Sequence, residues 1–99
     1  MKAAVIIADF NAETTHIMKS SALSELAKHK VTNPRIIHVP GSFEIPFAAN
    51  TVQDKVDIII ALGAVIAGDT HHDIVIVDTI AHALMKLSLK HKKPIGFGI

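Results

Sequence analysis

Val56-Asp57-Ile58-Ile59-Ile60-Ala61-Leu62-Gly63-Ala64-Val65-Ile66-Ala67-Gly68 decides the fold. Its first half is rich in β-branched residues and apolar throughout except at Asp57, which makes it the strongest strand signal in the chain. Its second half runs into a loop of small residues. Upstream, Ala3 to Ala8 is a second uninterrupted apolar run, as expected of a strand buried on both faces, and Asp9-Phe10-Asn11 breaks it. Between these two runs, Ile36 to Val39 is short and β-branched and stops at Pro40-Gly41. After them, Ile95 to Ile99 reads as a last strand.

Helices fill the gaps. From Thr14 or Thr15 to about His29, Ile17, Met18, Ala22, Leu23, Leu26 and Ala27 recur at three and four, with Asn11 or Thr14 as candidate cap. Ser42 or Glu44 opens a second helix, which tolerates Pro46 only if that residue lies in the first turn. Asp73 to His91 makes the third, capped by Asp69 or Thr70. Its pattern Ile74, Val77, Ala81, Leu84 is continuous, and Ile80, Met85 and Leu87 are also expected inward. Ile74 to Val77 alone would suit a strand, but the unbroken helical period favours a helix. Alternating strands and helices with long crossovers give an α/β parallel sheet of four strands with helices on both faces. Three helices cannot cover both faces fully, so part of one face is expected to be bare unless subunits or further chain cover it.

Composition excludes several function classes. The 99 residues are 49% hydrophobic and suffice for one core. The absence of cysteine removes disulfide, thiolate and cysteine-zinc chemistry. A formal charge of +1 and only four aromatics, all Phe, give no reason to expect nucleic acid as a partner. Apolar runs such as Ile58 to Leu62 are far shorter than a membrane span of roughly 20 residues, and the start lacks a signal-peptide pattern. The expectation is a cytoplasmic protein with no membrane partner.

In an open α/β sheet ligands bind beyond the carboxyl ends of the strands. The non-periodic clusters all fall there: Asp9-Phe10-Asn11, Pro40-Gly41-Ser42-Phe43-Glu44, Gly68-Asp69-Thr70-His71-His72 and Phe97-Gly98-Ile99. Gly68-Asp69-Thr70 before a helix can hold phosphate on free amides, or can be an ordinary glycine turn with a cap. No Walker loop or dinucleotide glycine motif is present. Of the adjacent His71 and His72, at most one can face a site, where it can move protons near neutral pH. A metal reading would recruit Asp69 and Asp73 but lacks a convincing ligand spacing, so no metal is expected. His16, His29, His38, His82 and His91 are scattered, and are expected to be solvated or satisfied locally. Phe10 and Phe43 can stack on a planar heterocycle or simply belong to the core, and Glu44 can merely complement a helix dipole.

Three stretches in this order are similar to the 6,7-dimethyl-8-ribityllumazine synthase family: Val39-Pro40-Gly41-Ser42-Phe43-Glu44-Ile45-Pro46, Ala61-Leu62-Gly63-Ala64-Val65-Ile66-x-Gly68-Asp69-Thr70-x-His72, and Pro94-Ile95-Gly96-Phe97-Gly98-Ile99. Phe10-Asn11 after the first strand fits as well. The resemblance implies a flavodoxin-like three-layer α/β/α fold with a four-stranded parallel sheet. It also implies a cofactor-free step of riboflavin biosynthesis, in which 5-amino-6-(D-ribitylamino)uracil condenses with 3,4-dihydroxy-2-butanone 4-phosphate. By the same resemblance Phe10 would stack on the pyrimidine, and Asn11, Gly41, Ser42, Phe43 and Glu44 would line the ring and ribityl pocket. Ala64, Val65 and Ile66 would contact the heterocycle, Gly68, Asp69 and Thr70 would hold phosphate, and His72 would shuttle protons. Phe97 would close a neighbouring subunit's site in a pentamer or a multiple of pentamers.

The chain also departs from the family pattern. Ala67 stands where the family usually has Arg, His71 where it has a small residue or proline, and Asp73 where it has an aromatic. Residues 1–99 are expected to form one domain that is C-terminally short, without the helices that carry a phosphate-binding Arg and a nearby Lys. Two other readings therefore accompany the enzyme: a ligand-binding or scaffold protein of the same fold with impaired catalysis, and an unrelated flavodoxin-like module that holds only phosphate.

Overall fold

The computed structural model describes residues 1–68 and 72–99. Strands β1 (Ala3–Ala8), β2 (Arg35–Val39), β3 (Ile58–Leu62) and β4 (Ile95–Gly98) form one parallel sheet in the order β2-β1-β3-β4. Helices α1 (Ala12–Lys28), α2 (Ile45–Val52) and α3 (His72–His91) connect them, with short 3-10 turns at Ser42–Glu44 and Gln53–Lys55. This is the flavodoxin-like three-layer arrangement expected from the alternating pattern.

The central strand explains the unbroken apolar run at the start of the chain. Successive side chains of β1 point to opposite faces. Ala3, Val5 and Ile7 pack with Leu26 and Val31 on the α1 side, while Ala4, Ile6 and Ala8 pack with Ile45, Ala49, Ile80 and Leu84 on the α2 and α3 side. All six residues of β1 are buried, so neither face can spare a polar side chain. Register carries the alternation across the sheet: Ala3 pairs with Ile58 and Ile59 with Ile95, which puts Ile58 and Ile60 on the α1 side and Ile59 and Ala61 on the other.

Helix α1 begins earlier than Thr14, and its inward stripe keeps Met18, Ala22, Leu23 and Leu26 of the expected one but takes Thr15 in place of Ile17 and Ala27. Asn11 takes the left-handed conformation (φ 61°), which asparagine adopts more readily than most residues, and turns the chain directly into the helix at Ala12. The inward positions are then Thr15, Met18, Ala22, Leu23 and Leu26. Ile17 is 65% exposed and Ala27 is also exposed. At about 100° per residue, Ile17 lies half a turn from Leu26 around the helix, so both cannot face the sheet. Thr15 is buried because its hydroxyl lies within reach of the Asn11 and Ala12 carbonyls, at 3.5 and 3.4 Å.

Pro46 falls in the first turn of α2, and Ile45, Ala49 and Val52 form its buried stripe. Ile74 to Val77 is helical, as the continuous period requires. The stripe of α3 nevertheless runs Ile76, Ile80, Leu84, Leu87, leaving Ile74 55% and Met85 60% exposed. Met85 follows Leu84 by a single residue, about 100° away, and faces outward. The cap expected at Asp69 or Thr70 lies outside the described residues.

Only α1 covers its face of the sheet. On that face Gly96 is exposed and Ile36, Ile58 and Ile60 are half-buried, which is the partly bare face the helix count implies. Both long helices end on a lysine in the left-handed region, Lys30 (φ 63°) after α1 and Lys92 (φ 53°) after α3. Each end is closed by a six-to-one backbone bond, Val31 N–H to Leu26 O at 2.9 Å and Lys93 N–H to Ser88 O at 3.1 Å. No described helix is long and apolar enough to cross a membrane.

Candidate active-site cleft

The site is assembled where β1, β2 and β3 release the chain at their carboxyl ends. Pairing of β1 with β2 continues past both strands, since Asp9 N–H donates to Val39 O at 2.8 Å and Phe10 N–H to Pro40 O at 3.0 Å. Phe10 is thereby fixed against the Pro40-Gly41 turn although its ring is exposed. The Asn11 backbone starts α1, and its side chain reaches the other way. Its Nδ2 donates to the Ala64 carbonyl at 3.3 Å, tying the loop after β1 to the loop after β3.

After β2 the chain turns through Ser42–Glu44. Glu44 N–H donates to Gly41 O at 3.1 Å, and the Glu44 carboxylate Oε1 accepts the Gly41 N–H at 2.9 Å, the reciprocal pair of a capping box. Beside it Ser42 is buried against Gly63, where a Cβ would lie only 2.3 Å from Ser42 Oγ. Gly63 N–H is held by Gly98 O at 3.0 Å, so β4 anchors the start of the loop that contains Ala64, Val65 and Ile66. Glycine at position 63 is what lets the turn after β2 approach the end of β3.

These loops and the first turns of α3 enclose a mainly apolar cleft of about 610 Å3, a volume typical of small-molecule sites. It is lined by Phe10, Asn11, Gly41, Ser42, Phe43, Ala64, Val65, Ile66, Gly68 and His72, all candidates from the sequence, and by Asp73 and Ile76. Two candidates lie elsewhere. Glu44 does not line the cleft, and its carboxylate is engaged with the Gly41 amide. Phe97 instead borders a smaller groove with Ile95, Ala81, Leu84, Met85 and Ser88 at the β4 edge of the sheet. Asp69, Thr70 and His71 lie outside the described residues.

Ile76 and Gly63 carry no functional assignment in the sequence. Ile76 could be found from its place one helical turn beyond His72, and Gly63 only from the close packing of two loops distant in sequence. Asp73 was considered only as a metal ligand, yet its Oδ1 is buried in the cleft wall without a hydrogen-bond partner among the described residues. Among the described lining residues none is Lys or Arg, so the cleft offers an anion no side-chain cation from them.

Most of the scattered histidines are satisfied locally. His38 Nδ1 donates to Asp9 Oδ1 at 2.8 Å, His29 Nε2 lies 3.3 Å from Glu25 Oε1, and His82 Nδ1 donates to the Asp78 carbonyl at 2.7 Å. His91 is different: its Nε2 is buried without a partner among the described residues.

Comparison with known proteins agrees with this geometry. The family model described as 6,7-dimethyl-8-ribityllumazine synthase matches residues 1–99. The chain is 38% identical to the 6,7-dimethyl-8-ribityllumazine synthase of Metallosphaera sedula over all of its own length and 67% of that protein. It is 42% identical to that of Limosilactobacillus reuteri over 96% of this chain and 64% of the relative. It is 37% identical to that of Thermococcus kodakarensis over all of this chain and 65% of the relative. It thus spans about two thirds of the length of the curated relatives it matches. The match along all 99 residues, on a parallel sheet whose strand ends converge on one cleft, places the chain in the 6,7-dimethyl-8-ribityllumazine synthase family.

Proposed function

We propose that the cleft joins 5-amino-6-(D-ribitylamino)uracil to 3,4-dihydroxy-2-butanone 4-phosphate, giving 6,7-dimethyl-8-ribityllumazine, inorganic phosphate and water in riboflavin biosynthesis. The observation that carries this reading is the convergence of Phe10, Gly41, Ser42, Phe43, Ala64, Val65, Ile66, Gly68 and His72 on one cavity, in a chain of this family. The amine of the pyrimidine attacks the ketone and water leaves to form an imine. Phosphate is then eliminated, the enol left behind tautomerises to a carbonyl at the carbon that bore the neighbouring hydroxyl, and the ribityl-bearing nitrogen closes the ring on that carbonyl with loss of a second water. No electrons pass to an outside acceptor in this sequence, so the proposal includes no cofactor.

Each group has a physical task. Phe10 offers an exposed ring at the cleft mouth on which a planar pyrimidine can stack. Asn11, Gly41, Ser42 and Phe43 form the wall for the ring and ribityl chain, and Glu44 supports that wall by fixing the Gly41 amide. Ala64, Val65 and Ile66 supply the apolar floor, which excludes water from the imine. Gly68, Asp69 and Thr70, ahead of α3, are assigned to the phosphate, and His72 at the start of that helix to proton transfer.

We also propose self-association into a pentamer or a multiple of pentamers, with Phe97 closing the cleft of a neighbouring subunit. The exposed apolar side chains of Phe47, Met85, Leu89 and Phe97 support burial between copies. A cytoplasmic site of action accords with substrates that carry a phosphate dianion and a polyol chain, neither of which crosses a bilayer unaided. His72→Ala tests the central assignment. Lumazine absorbance, corrected for the spontaneous reaction, should show a rate reduced by roughly 10²- to 10⁴-fold with assembly unchanged. Equal rates would remove His72 from the chemistry, and saturable lumazine binding by a wild-type chain without turnover would favour the ligand-binding reading.

A further inference from the structure

We propose that Asp73 is a substrate-binding residue that selects the pyrimidine partner, its carboxylate accepting a hydrogen bond from an N–H or O–H of that molecule. The inference rests on the condensation proposed above. Asp73 is the second residue of α3, between His72 and the wall residue Ile76, and all three border the cleft. Its Oδ1 is buried, and none of the described residues donates to it.

An ionised carboxylate only accepts hydrogen bonds, and a desolvated oxygen without a donor is costly. The side chains of Phe10, Phe43, Ile66 and Ile76 around the same cavity have no polar hydrogen to give. Among the described residues no donor is at hand, and a molecule that fills the cleft can bring one. The two substrates are not equivalent in this respect. The diaminopyrimidine is uncharged and brings amine, ring and ribityl hydrogens. The butanone also has hydroxyls, but with them comes a phosphate dianion that a neighbouring carboxylate repels. Asp73 thus favours the neutral substrate beside His72, and the phosphate is left to Gly68, Asp69 and Thr70 ahead of the helix.

An acidic residue in the first turn of a helix also complements the helix dipole, and that role alone would lower stability on mutation without distinguishing the substrates. Steady-state kinetics of Asp73→Ala and Asp73→Asn separate the two. Loss of a hydrogen bond to a charged group should raise KM for the pyrimidine by roughly ten- to a hundredfold in Asp73→Ala. The rise should be smaller in Asp73→Asn, whose carbonyl still accepts, and KM for the butanone phosphate should be unchanged or lower in both. An unchanged pyrimidine KM, or a parallel rise in both KM values with a lowered Tm, would overturn the assignment.

The same variants are titrated with 6,7-dimethyl-8-ribityllumazine by fluorescence, which does not depend on turnover. Weaker binding to Asp73→Ala than to the wild type supports the assignment; because ring closure consumes the amine hydrogens, it is equal binding of both the lumazine and the pyrimidine that overturns it. A wild-type chain that neither binds the lumazine nor turns over would instead overturn the condensation reading, and the Asp73 assignment with it. A pyrimidine with methylamino in place of ribitylamino identifies the donor. Disappearance of the Asp73 effect with this analogue assigns the bond to a ribityl hydroxyl, and persistence assigns it to an amine or ring N–H.

Discussion

Replacing Gly63 by alanine adds one methyl group, and the structure says where it goes. The new Cβ would lie 2.3 Å from Ser42 Oγ, 3.3 Å from Ser42 Cβ and 3.5 Å from Ile45 Cδ1. Rotating the Ser42 hydroxyl away relieves the first contact but not the second, because Ser42 is buried in its 3-10 turn and that turn leads directly into α2. Gly63 does not have a positive φ, so alanine brings no backbone strain. Without the clash it would stabilise the fold by about 0.4–1 kcal/mol through the unfolded chain. Overpacking at a tight site costs about 1–3 kcal/mol, which exceeds that gain. With mid-range values the net cost is about 1.3 kcal/mol, and the expected outcome is a Tm lowered by roughly 5–10 °C in thermal unfolding, taking about 4–8 °C per kcal/mol for a domain of this size. Adding Ser42→Gly removes both clashing atoms. The double-mutant cycle should therefore show a favourable coupling of at least about 1 kcal/mol between the two sites. Gly63→Ala at or above wild-type stability, or additive effects in the cycle, would refute the claim that glycine is required there by the approach of Ser42.

Two further predictions follow from backbone and packing. Lys30→Gly and Lys92→Gly relieve left-handed lysines at the ends of α1 and α3, a strain of about 1–2 kcal/mol that exceeds the added chain entropy of about 0.5–1 kcal/mol, so each should raise the urea midpoint. Gly98→Ala should destabilise, because its Cβ would lie 2.9 Å from Leu62 Cδ2 and 3.1 Å from the Ala61 carbonyl, whereas Gly96→Ala meets nothing closer than 3.8 Å and should be neutral or stabilising in the same assay.

The strands and helices were legible because their patterns are nearly pure: β1 has no polar side chain, and Pro46 confines the start of α2 to within a residue or two. The phase of the long helices was less legible. In α1 the inward stripe includes a threonine whose hydroxyl is satisfied within the helix, so a search for apolar residues alone selects Ile17 and passes over Thr15. In α3, Leu84 and Met85 are equally apolar, and only the position of the sheet decides between them. At the cleft, the clusters that hold Phe10, Ser42 and His72 are legible by position at the strand ends, whereas the choice of these residues within them comes from the family resemblance. Glu44 is expected among the lining residues from the resemblance alone, and its carboxylate instead accepts the Gly41 amide hydrogen. Asp73 and Gly63 depend on contacts between segments far apart in the chain, which no local pattern records.

The bond from Asn11 to Ala64 has a consequence for the order of folding. Pairing of β1 with β2 joins residues about thirty apart, such as Ala4 and Arg35, and can form early as a local unit. Pairing of β1 with β3 joins residues such as Ala3 and Ile58 across everything between them, and only then does the Asn11 side chain meet its acceptor. A molecule that touches both loops therefore binds only the completed sheet, and its binding free energy is added to the native state alone. Amide hydrogen exchange in β3 and β4 should slow when the cleft is filled, while the C-terminal turn of α1, which does not line the cleft, exchanges as before. Occupancy of the cleft in this sense works as a latch on the two halves of the sheet.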